Sequence, residues 1–88
     1  MNLNSVREEI KGIRGELEEL GEFLDLPELR ETKLELEAEM SQPDFWDNPR
    51  EATRISQRAT RVGEMIETYE KISESLENIG AMVELAEE

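Results

Sequence analysis

The sequence predicts an all-α fold: a three-helix antiparallel bundle or hairpin with one long C-terminal helix and coiled-coil-like packing. Three observations predict it. Apolar residues recur at alternating spacings of three and four in three separate segments, which is the pattern of one buried helix face. The two breaks between those segments carry helix-start signals. Of 23 acidic residues, 20 are Glu and only three are Asp, and Glu favours helix where Asp favours caps and turns. A chain of 88 residues holds one domain, residues 1–88, in which all three helices must share their cores.

Helix 1 is expected over about 5–20. Leu3, Val6, Ile10, Ile13, Leu17, Leu20 and Leu24 follow the 3-4 spacing across three heptads. Asn4 or Ser5 is its expected N-cap, with Glu8 three residues after Ser5 in a capping-box arrangement. Gly12 and Gly15 each weaken the helix by about 1 kcal/mol relative to Ala, so they read as places where another helix comes close. Gly21 reads as the residue just past the helix end.

A connector over 22–26 leads to helix 2, expected over about 27–41. Asp25 is its N-cap, Glu28 completes a capping box, and Pro27 sits in the first turn, where its missing N–H costs little. Leu29, Leu36 and Met40 form its core stripe, with Leu34 and Ala38 to one side. The position seven after Leu26 is Lys33, which interrupts the stripe. Pro43 stops this helix, and Asn48, Pro49 and Glu51 then supply N-cap, N1 and N3 for the next.

Helix 3 is expected over about 49–86, roughly 55 Å at 1.5 Å per residue. Ala52, Ile55, Ala59, Val62, Ile66 and Tyr69 keep the 3-4 spacing. The large apolar residues then continue one position early, at Ile72, Leu76, Ile79, Val83 and Ala86, and such a slip would turn the stripe toward a different neighbour. Helix 2 is too short to cover all of this helix. Helix 1 must cover the rest, or some of Ile72, Leu76, Ile79 and Val83 must pack on another copy of the chain or on chain beyond Glu88.

Composition excludes many activities. Ten Lys and Arg against 23 Asp and Glu give a net charge of −13, so no direct nucleic-acid binding is expected from a surface that mostly repels phosphate. Without Cys or His there is no disulfide, no thiol nucleophile, no zinc site and no His-based triad or general base. The five glycines never adjoin, so no phosphate-cradling loop is present. Acidic neighbours such as Glu35, Glu37 and Glu39 alternate around a helix and do not converge on a metal. The sequence therefore implies no enzyme, no cofactor and no metal. It also has no apolar run of membrane-spanning length and no basic-then-apolar leader at its N-terminus, which makes the cytoplasm the expected location.

Two features are candidates for partner contact. Arg50, Arg54, Arg58 and Arg61 fall at i, i+4, i+8 and i+11, along one flank of helix 3. They either pair with the Glu-rich helices 1 and 2 or form a strip that meets an acidic protein surface or an RNA backbone. Phe45 and Trp46 lie between Pro43 and Pro49 and read either as a plug closing the helix 2–helix 3 hairpin or as a ligand-binding aromatic pair.

The stretch Leu24-Asp25-Leu26-Pro27, and above all Glu37-Ala38-Glu39-Met40-Ser41-Gln42-Pro43-Asp44-Phe45-Trp46-Asp47, resembles the N-terminal domain of the bacterial release factor 2 family, the class I factors that read UAA and UGA. The likeness continues through Glu67-Thr68-Tyr69-Glu70-Lys71 and Glu84-Leu85-Ala86-Glu87-Glu88. Lys33 stands where that family usually has Leu. The resemblance implies a docking or positioning module on the ribosome, near the proteins of the GTPase-associated centre and the class II release factor. Neither the family's Gly-Gly-Gln loop nor its Ser-Pro-Phe tripeptide occurs here, so no residue inherits the catalytic or codon-reading role. The competing reading is a stand-alone acidic helical adaptor or oligomerisation module, with self-association through helix 3. A nucleic-acid mimic would need its acids gathered on one face, whereas here they are spread over all three helices.

Overall fold

A computed structural model of the chain describes residues 2–87. Three α-helices follow in order: α1 Leu3–Leu24, α2 Leu26–Met40 and α3 Pro49–Glu87, with a 3-10 turn, Phe45–Asp47, before α3. No strand occurs among the described residues, so the chain is all-α. The helices divide into two compact units. One joins α1 to the part of α3 from Thr68 onward; the other comprises Asp25–Glu67, that is, α2, the 3-10 turn and the first half of α3.

In the unit built on α2, the link from α1 is the single residue Asp25, in the left-handed conformation at φ 51°. Asp tolerates that region better than most residues, and its side chain also accepts from the Glu28 N–H at 3.4 Å. The expected five-residue connector is thus compressed to one, because cap and turn are the same residue. Leu36, Ile55, Val62 and Ile66 form the core, with Leu29, Phe45 and Ala59 packed against it. Lys33 fills the half-buried slot of the 3-4 series while Leu34 points outward, and the ammonium reaches Glu37 at 3.9 Å. The long stem of Lys can line an apolar seam with its charge in water. Met40, expected in the core stripe, is exposed at the helix end. The α2 C-terminus is closed by Ser41, whose hydroxyl donates to the Glu37 carbonyl at 2.9 Å.

In the unit built on α1, the helix starts earlier and ends later than its sequence suggests. Asn2, not Asn4 or Ser5, caps it: the Asn2 carboxamide oxygen accepts from the Asn4 N–H at 2.9 Å. Gly21 does not terminate α1 but sits buried within it, against Tyr69 of α3. Gly12 and Gly15 have nothing near the space a side chain would fill, so they are not points of close helix approach. Three contacts fix an antiparallel pairing: Gly21 with Tyr69, Gly80 with Arg14, and an Arg7–Glu87 salt bridge.

The expected slip in helix 3 does not occur. Buried and half-buried positions include Ala52, Ile55, Ala59, Val62, Ile66, Tyr69, Ser73, Leu76, Gly80 and Val83, an unbroken 3-4 series with Ser56 and Gly63 half-buried beside it. Small residues hold the slots at Ser73 and Gly80, and the neighbouring Ile72 and Ile79 are left exposed. Leu76 and Val83 are buried within the unit that α1 completes, so helix 1 supplies the cover that helix 2 cannot.

Candidate functional site

The α2 unit holds both sets of candidate contact residues. The start of α3 is fixed locally: the Asn48 side-chain oxygen accepts from the Glu51 N–H at 3.3 Å, and Pro49 opens the helix. From that start, the residues Ala52, Ile55, Ala59 and Val62 turn inward. Arg50, Arg54, Arg58 and Arg61 therefore fall on the outward side of α3, all exposed, along about 16 Å of helix.

Their expected pairing with the other helices is largely unmet. Arg54 pairs with Glu51 of its own helix, with its Nε donating to a Glu51 carboxylate oxygen at 3.2 Å and its terminal nitrogen to the other. That hydrogen bond, assisted by the opposite charge, lowers the Glu51 pKa and raises that of Arg54. Across to α2, Glu39 adds only a weaker attraction to Arg54. Among the described residues Arg50, Arg58 and Arg61 make no salt bridge. Three of the four arginines are thus exposed without an ion-pair partner among the described residues.

The aromatic pair divides its labour. Phe45 is half-buried against the Leu36–Ile55–Val62–Ile66 core and plugs the hairpin end. Trp46 meets it edge-on, ring centres 5.3 Å apart and planes at 81°, and remains 62% exposed. One residue of the pair packs on the core and the other stands largely in solvent. The carboxylates of Glu39, Asp44, Asp47 and Glu51 border an open cleft beside them, with Phe45, Ala52 and Ile55 as its apolar lining. Sequence reasoning passed over this acidic rim, although two of its members flank the Phe-Trp pair directly. No set of three or more His, Cys, Asp or Glu among the described residues is arranged to hold a metal ion. No helix of the described residues is long and apolar enough to cross a membrane.

The PCRF domain model matches residues 29–88, more than half of the chain. The chain belongs to the PCRF domain family. Its relatives in that family include peptide chain release factor 2 of Clostridium perfringens strain SM101, 31% identical over all 88 residues, and that of an Exiguobacterium species, 30% identical over the same length. Peptide chain release factor 2 of Proteus mirabilis is 27% identical over 86 residues, 98% of the chain. The chain spans about a quarter of the length of these curated relatives, 24% in each case. No solved structure matches it. The PCRF match includes the Pro43–Asp47 segment and the whole Arg strip, so both candidate contact regions lie inside the family's domain.

Proposed function

We propose that this PCRF domain is the non-catalytic N-terminal helical domain of a class I release factor for UAA and UGA codons, and that it positions the factor on the ribosome in the cytoplasm during translation termination. The observation that carries the reading is the likeness, along the whole of this chain and a quarter of theirs, to proteins named peptide chain release factor 2, together with the family match. The chemistry of the chain is consistent with that role, since it offers exposed cations, one exposed Trp and acidic surface. Its partners are the proteins of the GTPase-associated centre and the class II release factor. An acidic domain is attracted to basic ribosomal proteins and repelled by bare RNA, so charge aids encounter and a few contacts hold the pose. Arg50, Arg54, Arg58 and Arg61 meet acidic patches on those partners, Trp46 adds an apolar contact, and Phe45 holds the Trp in place.

Cosedimentation of the labelled chain with bacterial ribosomes tests the contact residues. The chain is expected to bind saturably, and the pair Arg54→Glu with Arg58→Glu to weaken binding at least about tenfold, or 1.4 kcal/mol. Saturable binding that the pair leaves unchanged removes the Arg strip from the interface. Absence of saturable binding contradicts the docking role itself.

A further inference from the structure

The α1 unit leaves one side of its helix pair uncovered. Pairings of Gly21 with Tyr69 and of Arg14 with Gly80 set the levels of the two antiparallel helices. The two pairings bracket a register in which Leu20 is within about 3 Å along the axis of the level of Ile72, and Ile13 of that of Ile79. The other side of the pair carries an open cleft lined by Arg14 and Glu18 of α1 and by Ser73 and Glu77 of α3. Ile13, Leu20, Ile72 and Ile79 are absent from that cleft and are each about 40% exposed, with Phe23 and Met82 more exposed still. An isolated exposed apolar residue is ordinary; two successive cross-helix pairs on one side make a strip.

The edges of this strip differ. On α3, the helical neighbours of Ile72 and Ile79 at three and four residues are Thr68, Tyr69, Ser75, Leu76, Met82 and Val83, none of them charged. On α1, the corresponding neighbours of Ile13 include Glu9 and Glu16. Neither of these carboxylates makes a salt bridge among the described residues. The strip is therefore apolar along its centre, neutral along one edge and anionic along the other.

We infer that this face docks an amphipathic helix from another protein, one with an apolar stripe and Lys or Arg along the edge that lies over α1. Charge complementarity selects that occupant. A cationic edge satisfies Glu9 and Glu16 and fixes which way round the helix lies, while the α3 edge accepts neutral residues. A second copy of the chain is disfavoured because each copy carries a net charge of −13. The surface is separate from the Arg strip and Trp46, and the inference does not depend on the release factor reading.

Synthetic 18-residue helical peptides with a common Leu stripe and a Lys, Gln or Glu edge test it by fluorescence anisotropy against the full 88-residue chain. The Lys-edged peptide is expected to bind at least about tenfold more tightly than the Gln-edged one, and the Glu-edged peptide more weakly than both. Replacing Glu9→Gln with Glu16→Gln should remove the difference among the three peptides. The pair Ile72→Ser with Ile79→Ser should weaken all three at least about tenfold, with the far-ultraviolet circular dichroism unchanged. Equal binding of the Lys and Gln peptides overturns the inference, as does binding by none. A dimer in sedimentation equilibrium that the Ile72→Ser, Ile79→Ser pair dissolves also overturns it, because the second copy is then the occupant. The charge variants leave the apolar strip intact, so the test stands even if the serine pair unfolds.

Discussion

Leu36→Ala lowers the unfolding free energy by about 3 kcal/mol, within the 2–5 kcal/mol range for Leu deletions in a packed core. Leu36 is 4% exposed and is the one α2 residue in the buried cluster it forms with Ile55, Val62 and Ile66 of α3. Deleting it leaves a cavity on the one helix that can cover this part of α3. For a chain of this size, with a total stability of roughly 4–13 kcal/mol, the loss is a large fraction. Leu34→Ala, two residues away but 66% exposed, should change stability by no more than about 0.5 kcal/mol. Urea unfolding followed by circular dichroism, with Trp46 fluorescence as a second probe in the same unit, measures both. Equal effects of the two substitutions would show that the register of α2 is wrong.

The second large effect concerns the glycines, which differ in sign. A side chain at Gly21 would place its Cβ 2.8 Å from the Tyr69 hydroxyl and 3.1 Å from two ring carbons. Tyr69 is itself half-buried, so the ring cannot simply swing into solvent. Gly21→Val is therefore expected to destabilise the α1 unit by about 2 kcal/mol, as overpacking does. Adding Tyr69→Ala to that variant should recover part of the loss, since the two positions share one space. Gly12→Ala, with open space around it, should instead stabilise α1 by up to about 1 kcal/mol through helix propensity alone. Thermal melts of the three variants decide this, and a common response at both glycines would contradict the packing of α1 on α3.

What the sequence made legible follows from the range of each signal. Caps are local chemistry, so Asp25, Asn48 and Pro49 mark the starts of α2 and α3 by their own side chains and ring. The core of the α2 unit is equally legible, because Ile55, Val62 and Ile66 are large apolar residues at the correct spacing. The seam beyond Tyr69 was not legible, because it depends on what faces it across the helix pair. Gly80 is inward because Arg14 lies over it, and Gly21 is inward because Tyr69 does. One helix's hydrophobic pattern contains neither fact, so Ile72 and Ile79 draw the reading one position early. Lys33 misleads for the related reason that its stem, not its charge, meets the seam.

At the candidate site, the spacing of four arginines locates the strip, but it does not say where they point. Their outward direction comes from the inward turn of Ala52, Ile55 and Val62 on the same helix. The division between Phe45 and Trp46 is likewise invisible in an adjacent pair of aromatics. A 3-10 turn directs successive side chains to different sides, so one fills the hairpin end and the next is left in solvent.

The most direct test of the proposed role is competition in a reconstituted termination reaction. Ribosomes stalled at a UGA codon with peptidyl-tRNA are given an intact release factor 2, with and without a large molar excess of this chain, and peptide release is timed. The account predicts slower release with the chain present and no release by the chain alone. Peptide release by the chain alone, or an unchanged rate at every excess, would contradict it.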